Sequence, residues 1–460
     1  FRLLSGGSRT ALPRQQTLRA LIDWSYDLLA PTEQTLLRRL SVFSGGWSLE
    51  GAEAVCSGGE VEDWEVLDLL SRLVAKSLVV VEPPSEGQVR YHLLDNIGRY
   101  ARERLAETEE ASELPLRHRD WFLTHAEAAE PHLSGPQQES WLNQLEQDHD
   151  NLRVALRFAQ QDSPEILLRL AGALSRFWYG RSYLSEGRAW LETALSLEKN
   201  DLEENASDPS RAKALTGAGI LAWACGDYSQ AQAYHEQDLA LRLAQNDSRG
   251  IARALSYLGI FAMEQGDFAA AQIFYEESLA GYRALSDEVS VAHLLNNMAN
   301  LASAQQDYQR AETILRENLV LFRRQGHQVG LASALHNLGS LFLRQNLPRR
   351  AQPFFRDSLA AQQAVGNKQR SASTVKDLGE AAWLIGDYER ACRLFAAGEA
   401  ILLAAGVPQA SLDPQYEAML TETRNALGEE LFQSVWFYGS RLTLEQVIRY
   451  VLDNYAGLDE

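Results

Sequence analysis

The chain has 460 residues, of which 45% are hydrophobic, and a formal net charge of −19. That length predicts about two to four domains, and the acidic balance opposes binding to nucleic acid or to anionic membranes. No apolar run approaches the roughly 18 residues of a membrane span, and no secretory signal peptide is visible. Cys56, Cys225 and Cys392 lie far apart and form neither a disulfide framework nor a metal pattern, so a reducing, cytoplasmic setting is expected. The chain begins abruptly at Phe1, which reads as the C-terminal part of a longer protein.

Residues 1–15 hold three arginines, glycines and a proline without an apolar period, and read as the tail of an upstream module. From Thr17 to Leu29, Leu18, Leu21, Ile22, Leu28 and Leu29 mark an amphipathic helix. Pro31-Thr32-Glu33 starts a second, with Leu36, Leu37, Leu40 and Val42 on its face and Gly45-Gly46 as its stop. Ser48 is a candidate N-cap for a short helix to Ala54, and another helix spans Glu62 to Lys76. The period then changes. Ser77–Glu82 and Gln88–Leu94 are rich in β-formers and flank the turn Pro83–Gly87. Helix resumes from Asp95 to Glu107. Helices followed by a β-hairpin predict a winged-helix domain over residues 16–111.

Residues 112–200 predict a helical bridge, with segments His118–Glu130, Pro136–Gln161 and Pro164–Leu197. A repeat follows over 201–407. Gly226-Asp227-Tyr228, Gly266-Asp267-Phe268, Gln306-Asp307-Tyr308, Asn346-Leu347-Pro348 and Gly386-Asp387-Tyr388 recur every 40 residues. Alanine follows each at a fixed offset: Ala231, Ala271, Ala311, Ala351 and Ala391. A small residue precedes each turn: Gly219, Gly259, Ala299, Gly339 and Gly379. Such a beat predicts helix pairs that bury their apolar faces by stacking. The small residue lets helix A approach helix B, and the Gly-Asp turn separates them. Leu184–Leu195 fits the helix-B pattern at an offset of 44, as a degenerate first repeat, with the excess in the loop Lys199–Ser207. Residues 408–460 lack the turn. A linker from Pro408 to Pro414 and helices over Tyr416–Leu427, Glu429–Tyr438 and Thr443–Asn454 predict a terminal cap. The expected fold class is mainly α: a winged helix with a small β-hairpin, then an α-solenoid.

The repeat resembles the tetratricopeptide repeat, lengthened from its usual span of about 34 residues. The run from Leu3-Leu4-Ser5 to Cys56, with Leu69–Glu82 and Arg90–Leu105, is similar to bacterial signal-transduction ATPases of the STAND class. Those proteins carry an NB-ARC-type nucleotide module, then this winged helix, then such repeats. Many are transcription regulators of the LuxR or antibiotic-regulator type. The resemblance implies an ATPase core upstream in cis, ATP or ADP bound there rather than here, and a nucleotide-dependent homo-oligomer of the parent protein. Leu93-Leu94-Asp95 stands where NB-ARC relatives carry Met-His-Asp. The resemblance thus implies a switch role for Asp95 with neighbouring His92, although leucine replaces the phosphate-sensing histidine.

No catalytic or metal constellation emerges. None of the five lysines sits in a P-loop. His235-Glu236 opens like a zinc-protease helix, but its second histidine is Leu239. His118-Arg119-Asp120 resembles a kinase triplet, but His125 stands where asparagine is required. The candidate recognition helix, Glu62–Lys76, has four acids against two bases, which argues against DNA binding. The expected ligand surface is the concave face of the A helices, for a peptide, a protein or a small molecule. Its candidates are Arg253 and His293 at position 2, Ser256, Asn296, His336 and Lys376 at position 5, Asn300 and Glu380 at position 9, and Trp223, Met263 and Trp383 at position 12. Asn297 and Asn337, at position 6, read as structural. A regulatory sensor arm is the leading reading. A constitutive interaction scaffold is the alternative.

Overall fold

The computed structural model describes residues 13–85, 88–133, 137–197, 209–365, 368–404 and 414–454. Residues 1–12 of the expected tail, the 199–207 loop and residues 408–413 of the expected linker lie outside them. The chain divides into two compact units, Phe1–Leu241 and Arg242–Glu460.

In the first unit the winged helix comprises α1 (Pro13–Asp27), α2 (Pro31–Leu40), β1 (Trp47–Ser48), α3 (Leu49–Cys56), α4 (Val66–Ala75), β2 (Val80–Ser85), β3 (Gln88–His92) and α5 (Asp95–Ala106). Pro31 opens α2, and the Glu33 carboxylate accepts from the Ala30 N–H at 2.8 Å. Ser48 caps α3 by accepting from the Gly51 N–H at 3.1 Å. The sheet is antiparallel in the order β1-β3-β2, with Trp47 opposite Tyr91 and Val80 opposite His92. The sequence showed only the hairpin. A two-residue strand is too short to carry an alternation, and only its pairing with β3 reveals β1. The hairpin also starts later than expected. Ser77 turns with φ +58°, and the Leu78 and Val79 amides still donate to the Leu73 carbonyl. Strand β2 therefore runs on through Pro83 and Pro84, which an edge strand tolerates.

The bridge is built from α6 (Leu114–Ala129), α7 (Gln138–Gln147), α8 (His149–Asp162), α9 (Pro164–Gly180) and α10 (Leu184–Leu197). Two helices expected as single rods are each broken. Ser182 turns with φ +61° between α9 and α10, so the degenerate repeat has a complete helix pair. The other break, at Asp148, presents polar groups to the winged helix. Arg90 Nη2 donates to Asp148 Oδ1 at 2.7 Å and to the Gln147 carbonyl at 3.0 Å. Asn151, fully buried, accepts from the Ser44 N–H and donates to the Gly46 carbonyl, each at 2.7 Å. Trp47, Tyr100, Phe122, Phe177 and Trp178 fill the core between these elements. Helices α11 (Pro209–Ala224) and α12 (Tyr228–Ala244) follow as the first full repeat.

The second unit alternates A helices α13 (Ser248–Glu264), α15 (Glu288–Ala304), α17 (Gln328–Arg344) and α19 (Lys368–Leu384) with B helices α14 (Phe268–Ala284), α16 (Tyr308–Gln325), α18 (Pro348–Val365) and α20 (Tyr388–Ala404). The A–B turn takes a positive φ in every copy, at Gly266, Gln306, Asn346 and Gly386 here and at Gly226 in the first repeat. Asp267, Asp307 and Asp387 then cap helix B by accepting from the N–H three residues on, at 3.0 to 3.2 Å. A second turn, between repeats, also recurs every 40 residues. Asn246, Ser286 and Gly326 take positive φ, and Asp247, Asp287 and His327 cap the next A helix. Helix A meets helix B closely: a Cβ on Gly259 would lie 2.4 Å from the Tyr275 ring, and one on Gly339 2.6 Å from Phe355.

Beyond the repeats come α21 (Pro414–Leu427), α22 (Glu429–Gly439) and α23 (Leu444–Asn454). Tyr416 and Met419 of α21 cover Ala382, Ala391 and Phe395, and Phe432 and Val435 of α22 pack on Cys392. Val447, Ile448 and Val451 of α23 turn back onto Leu359, Val375 and Leu394.

The turn and the close approach are separable by substitution. Gly259→Val is expected to destabilise the chain by about 1–3 kcal/mol through overpacking against Tyr275. Gln306→Gly, which relieves a left-handed residue, is expected to stabilise it by about 0.5–1 kcal/mol. Urea unfolding followed by circular dichroism measures both.

Candidate functional site

The sequence places apolar and small residues on the faces by which each A helix meets its own B helix and its neighbours. What remains is a stripe recurring at positions 2, 6 and 9. It comprises Arg253, Tyr257 and Ile260 on α13, His293, Asn297 and Asn300 on α15, Ser333, Asn337 and Ser340 on α17, and Ser373, Asp377 and Glu380 on α19, all exposed or half-exposed. Each set spans i, i+4 and i+7, one face of a helix. Asn297, Asn300 and Asn337 make no side-chain hydrogen bond among the described residues.

Two sequence expectations change here. Position 6 is part of the open face, although Asn297 and Asn337 were read as structural. Position 5 is divided. Asn296 is buried, with its Oδ1 accepting from Asn318 Nδ2 at 2.9 Å. Asn318 also donates to the Ala292 carbonyl at 2.8 Å. Asn296 is therefore an interior group tying α15 to α16, not a lining group. The same slot on the B helices is polar in other copies, where Ser278 donates to the Ala252 carbonyl and Ser358 to the Ala332 carbonyl. That recurrence was legible at 40-residue spacing but was masked by the apolar stripe around it.

The remaining candidates are dispersed. Ser256 is half-exposed beside Arg253 on α13, and Met263 packs with Ile260 against the second-unit core. Trp383 is half-buried and packs against the cluster that includes Phe395 and Tyr416. Lys376 is drawn the same way, its Nζ 3.9 Å from the centre of the Tyr416 ring. Trp223 belongs to the first unit, half-exposed on α11.

Of the other candidates, His336 meets Thr374 and Asp377, and Glu380 acts on Asp377 from the same helix. His336 Nδ1 lies 3.2 Å from Thr374 Oγ1 and 3.6 Å from Asp377 Oδ2. Thr374 also accepts from Gln362 Nε2 at 3.0 Å. Burial pushes the Asp377 carboxyl up to about 7, with Glu380 acting in the same direction and Lys376 opposing. Yet 29% of the Asp377 side chain stays accessible. Surrounding helices thus desolvate the group without closing it off, and water still reaches it. Burial holds the His336 imidazole down at about 4, with Arg370 acting in the same direction. A neutral imidazole thus faces a carboxyl that changes charge near neutrality. Arg370 itself donates to Ser333 Oγ.

The residues proposed for nucleotide sensing lie apart from this face. His92 Nδ1 is 3.1 Å from Glu82 Oε1 across the β2–β3 pair. Asp95 is exposed at the first position of α5, where the helix dipole favours a carboxylate. On α4 and the turn before it, Glu62, Asp63, Trp64, Leu67 and Asp68 are exposed, an acidic and apolar surface.

A winged helix-turn-helix domain profile matches residues 29–106, and tetratricopeptide repeat profiles match residues 214–249, 251–288 and 290–364. The chain is a winged helix joined to tetratricopeptide repeats. Both are non-catalytic kinds of domain, suited to regulation or protein interaction. A protein of Mycobacterium tuberculosis bearing the provisional name of HTH-type transcriptional regulator is 40% identical over 222 residues, covering 48% of this chain and 25% of the relative. The chain thus spans about a quarter of the length of that relative. Among solved structures, a STAND protein with a tetratricopeptide repeat sensor from Pyrococcus horikoshii aligns with 97% of this chain and 67% of its own, at 14% identity and a TM-score of 0.47. A Rap protein complexed with competence and sporulation factor aligns with 75% of this chain and 99% of its own, at 14% identity and a TM-score of 0.45. Among the described residues no helix is long and apolar enough to cross a membrane.

The Asp377 carboxyl is expected to titrate near 7 in carbon-13 NMR of the whole chain. Its value in the unfolded chain is about 3.9, so the ionised form costs stability above neutrality, and that cost fades as pH falls toward the ordinary carboxylate range. Asp377→Asn should therefore be more stable than the wild type at about pH 8, by on the order of 1–2 kcal/mol after discounting for water access, and no more stable at about pH 4. Equal stabilities at both would show that the group is not desolvated.

Proposed function

We propose that this chain is the sensor and regulatory arm of a STAND-type signalling switch acting in transcriptional regulation. Its A-helix face takes an extended peptide or protein segment, and its winged helix relays occupancy to an ATPase core elsewhere in the full-length protein. The carrying observation is the set of amides at Asn297 and Asn300 on one A helix and Asn337 on the next, which make no side-chain hydrogen bond among the described residues, while their neighbour Asn296 is bonded in the interior. A carboxamide offers both a donor and an acceptor, which suits the N–H and C=O of an extended backbone. The regulatory part rests on the winged helix and on the provisional name of the mycobacterial relative. ATP or ADP would bind the core, not this chain.

The acidic surface at Glu62–Asp68 supports a winged helix that contacts protein and not DNA. Buried polar ties at Asp148 and Asn151 support transmission, because they join the winged helix to the bridge within the first unit. Oligomerisation of the parent would follow core opening. A constitutive scaffold is the second reading. It is favoured by Leu94 at the phosphate-sensing slot and by the exposure of Asp95 at the start of α5.

Hydrogen exchange on the full-length protein, with ADP and then with an ATP analogue, separates the two. The switch predicts altered protection both over Leu93–Ala101 and over the A helices from Arg253 to Glu380. Protection independent of nucleotide in both regions would leave the scaffold.

A further inference from the structure

We propose that the cavity between the winged helix and the bridge is a binding site for a small organic cation, a primary amine of metabolite size. The site lies wholly in the first unit and is independent of the A-helix face.

The cavity has a volume of about 230 Å³. That lies below the range of about 300–1,000 Å³ usual for drug-sized ligands, so its occupant is small. Its walls come from elements far apart in sequence. Glu50 stands in the first turn of α3, Arg90 on β3, Trp121 and His125 on α6, Gln144 on α7, and Asp148 at the break before α8. The Trp121 indole nitrogen lies 3.4 Å from where a side chain on Gly51 would begin. That contact sets the indole beside the turn that carries Glu50.

The polar groups of the cavity are unequally matched. Arg90 is the fixed cation among the lining residues, and it is already engaged. Its Nη2 donates to Asp148 Oδ1 at 2.7 Å and to the Gln147 carbonyl at 3.0 Å. Asp148 Oδ2 makes no hydrogen bond among the described residues, and His125 Nε2 stands off from it at 3.6 Å. Burial lowers the His125 pKa, so the imidazole is neutral near pH 7 and does not compensate the carboxylate. The side chains of Glu50 and Gln144 likewise make no hydrogen bond among the described residues. Two carboxylates against one guanidinium leave the lining with a formal charge of −1.

An ammonium suits what is left over. Glu50, Asp148 Oδ2 and the Gln144 carbonyl oxygen are acceptors without donors, and an ammonium is all donor. Trp121 is half-exposed and lies nearly parallel to the His125 ring, at 14° with centroids 6.2 Å apart. Its indole gives a cation a π face. An anion would meet two carboxylates and an arginine already engaged. For a metal ion, the described residues hold no group of three His, Cys, Asp or Glu side chains. Once bound, the amine would join α3 and β3 of the winged helix to α6 and α7 of the bridge.

The test is isothermal titration calorimetry of the whole chain with tyramine, putrescine and ethanolamine. Each is paired with the alcohol that replaces its amine: tyrosol, 1,4-butanediol and ethylene glycol. At least one amine should bind, and its alcohol should bind at least roughly tenfold more weakly. Glu50→Gln, at an exposed position that leaves the core intact, should weaken that amine roughly tenfold. Gln144→Lys, which supplies an ammonium to the cavity from the chain itself, should abolish the binding. Circular dichroism checks that both variants fold. Failure of all three amines to bind would mean that the cavity holds water only, and overturns the site. So does an alcohol that binds as tightly as its amine. Amine binding undiminished by either substitution would reflect the net charge of the chain and not this cavity, and overturns the site as well.

Discussion

The close approach of helix A to helix B is the constraint from which the repeat architecture follows. A glycine on helix A lies under a ring on helix B, as Gly259 lies under Tyr275 and Gly339 under Phe355. Side chains at those points would force the pair apart. Once the pair is closed, the chain must reverse within a few residues, and a left-handed residue followed by a capping aspartate does so. The turn is kept even where glycine is absent. Gln306 and Asn346 adopt the strained conformation because the packing on either side fixes it. Where the side-chain cap is lost, at Leu347, Pro348 opens the helix instead, and the Arg350 N–H donates to the Leu347 carbonyl at 3.0 Å.

Tight pairing engages polar groups as well as apolar ones. A hydroxyl or amide on each of three B helices reaches an A-helix carbonyl, through Ser278, Asn318 and Ser358. Each is buried, and each bond spares a buried side chain the cost of standing unpaired. The polar residues left over define the open face. Asn296 and Asn297 are neighbours in sequence, yet one is bonded to Asn318 and the other makes no side-chain hydrogen bond among the described residues.

The first unit follows the same rule in a different setting. The winged helix and the bridge meet through a break between two helices, where Asp148 and Asn151 take up Arg90, Ser44 and Gly46. An ion pair at such a junction adds little net stability over an apolar contact, but it allows one geometry only.

Much of this was legible from the chain alone. The 40-residue beat, the small residue, the turn and the helix-B alanine all express constraints acting within one repeat, so they recur in the sequence wherever the repeat does. The winged helix was legible from a change of period, except for β1, whose two residues owe their state to pairing with β3. The break at Asp148 was not legible, because helix-forming residues continue on both sides, and the one at Ser182 showed only through the helix-B pattern that starts at Leu184. The candidate site was only half legible. Helical spacing alone placed His336, Lys376 and Glu380 on one face. What each side chain is free to do was decided by helices distant in sequence: α16 engages Asn296, α21 packs beside Trp383 and draws Lys376 aside, and α17 sets His336 against Asp377. A periodic pattern specifies direction around a helix axis. Availability depends on what occupies that direction, and only the packed structure determines that.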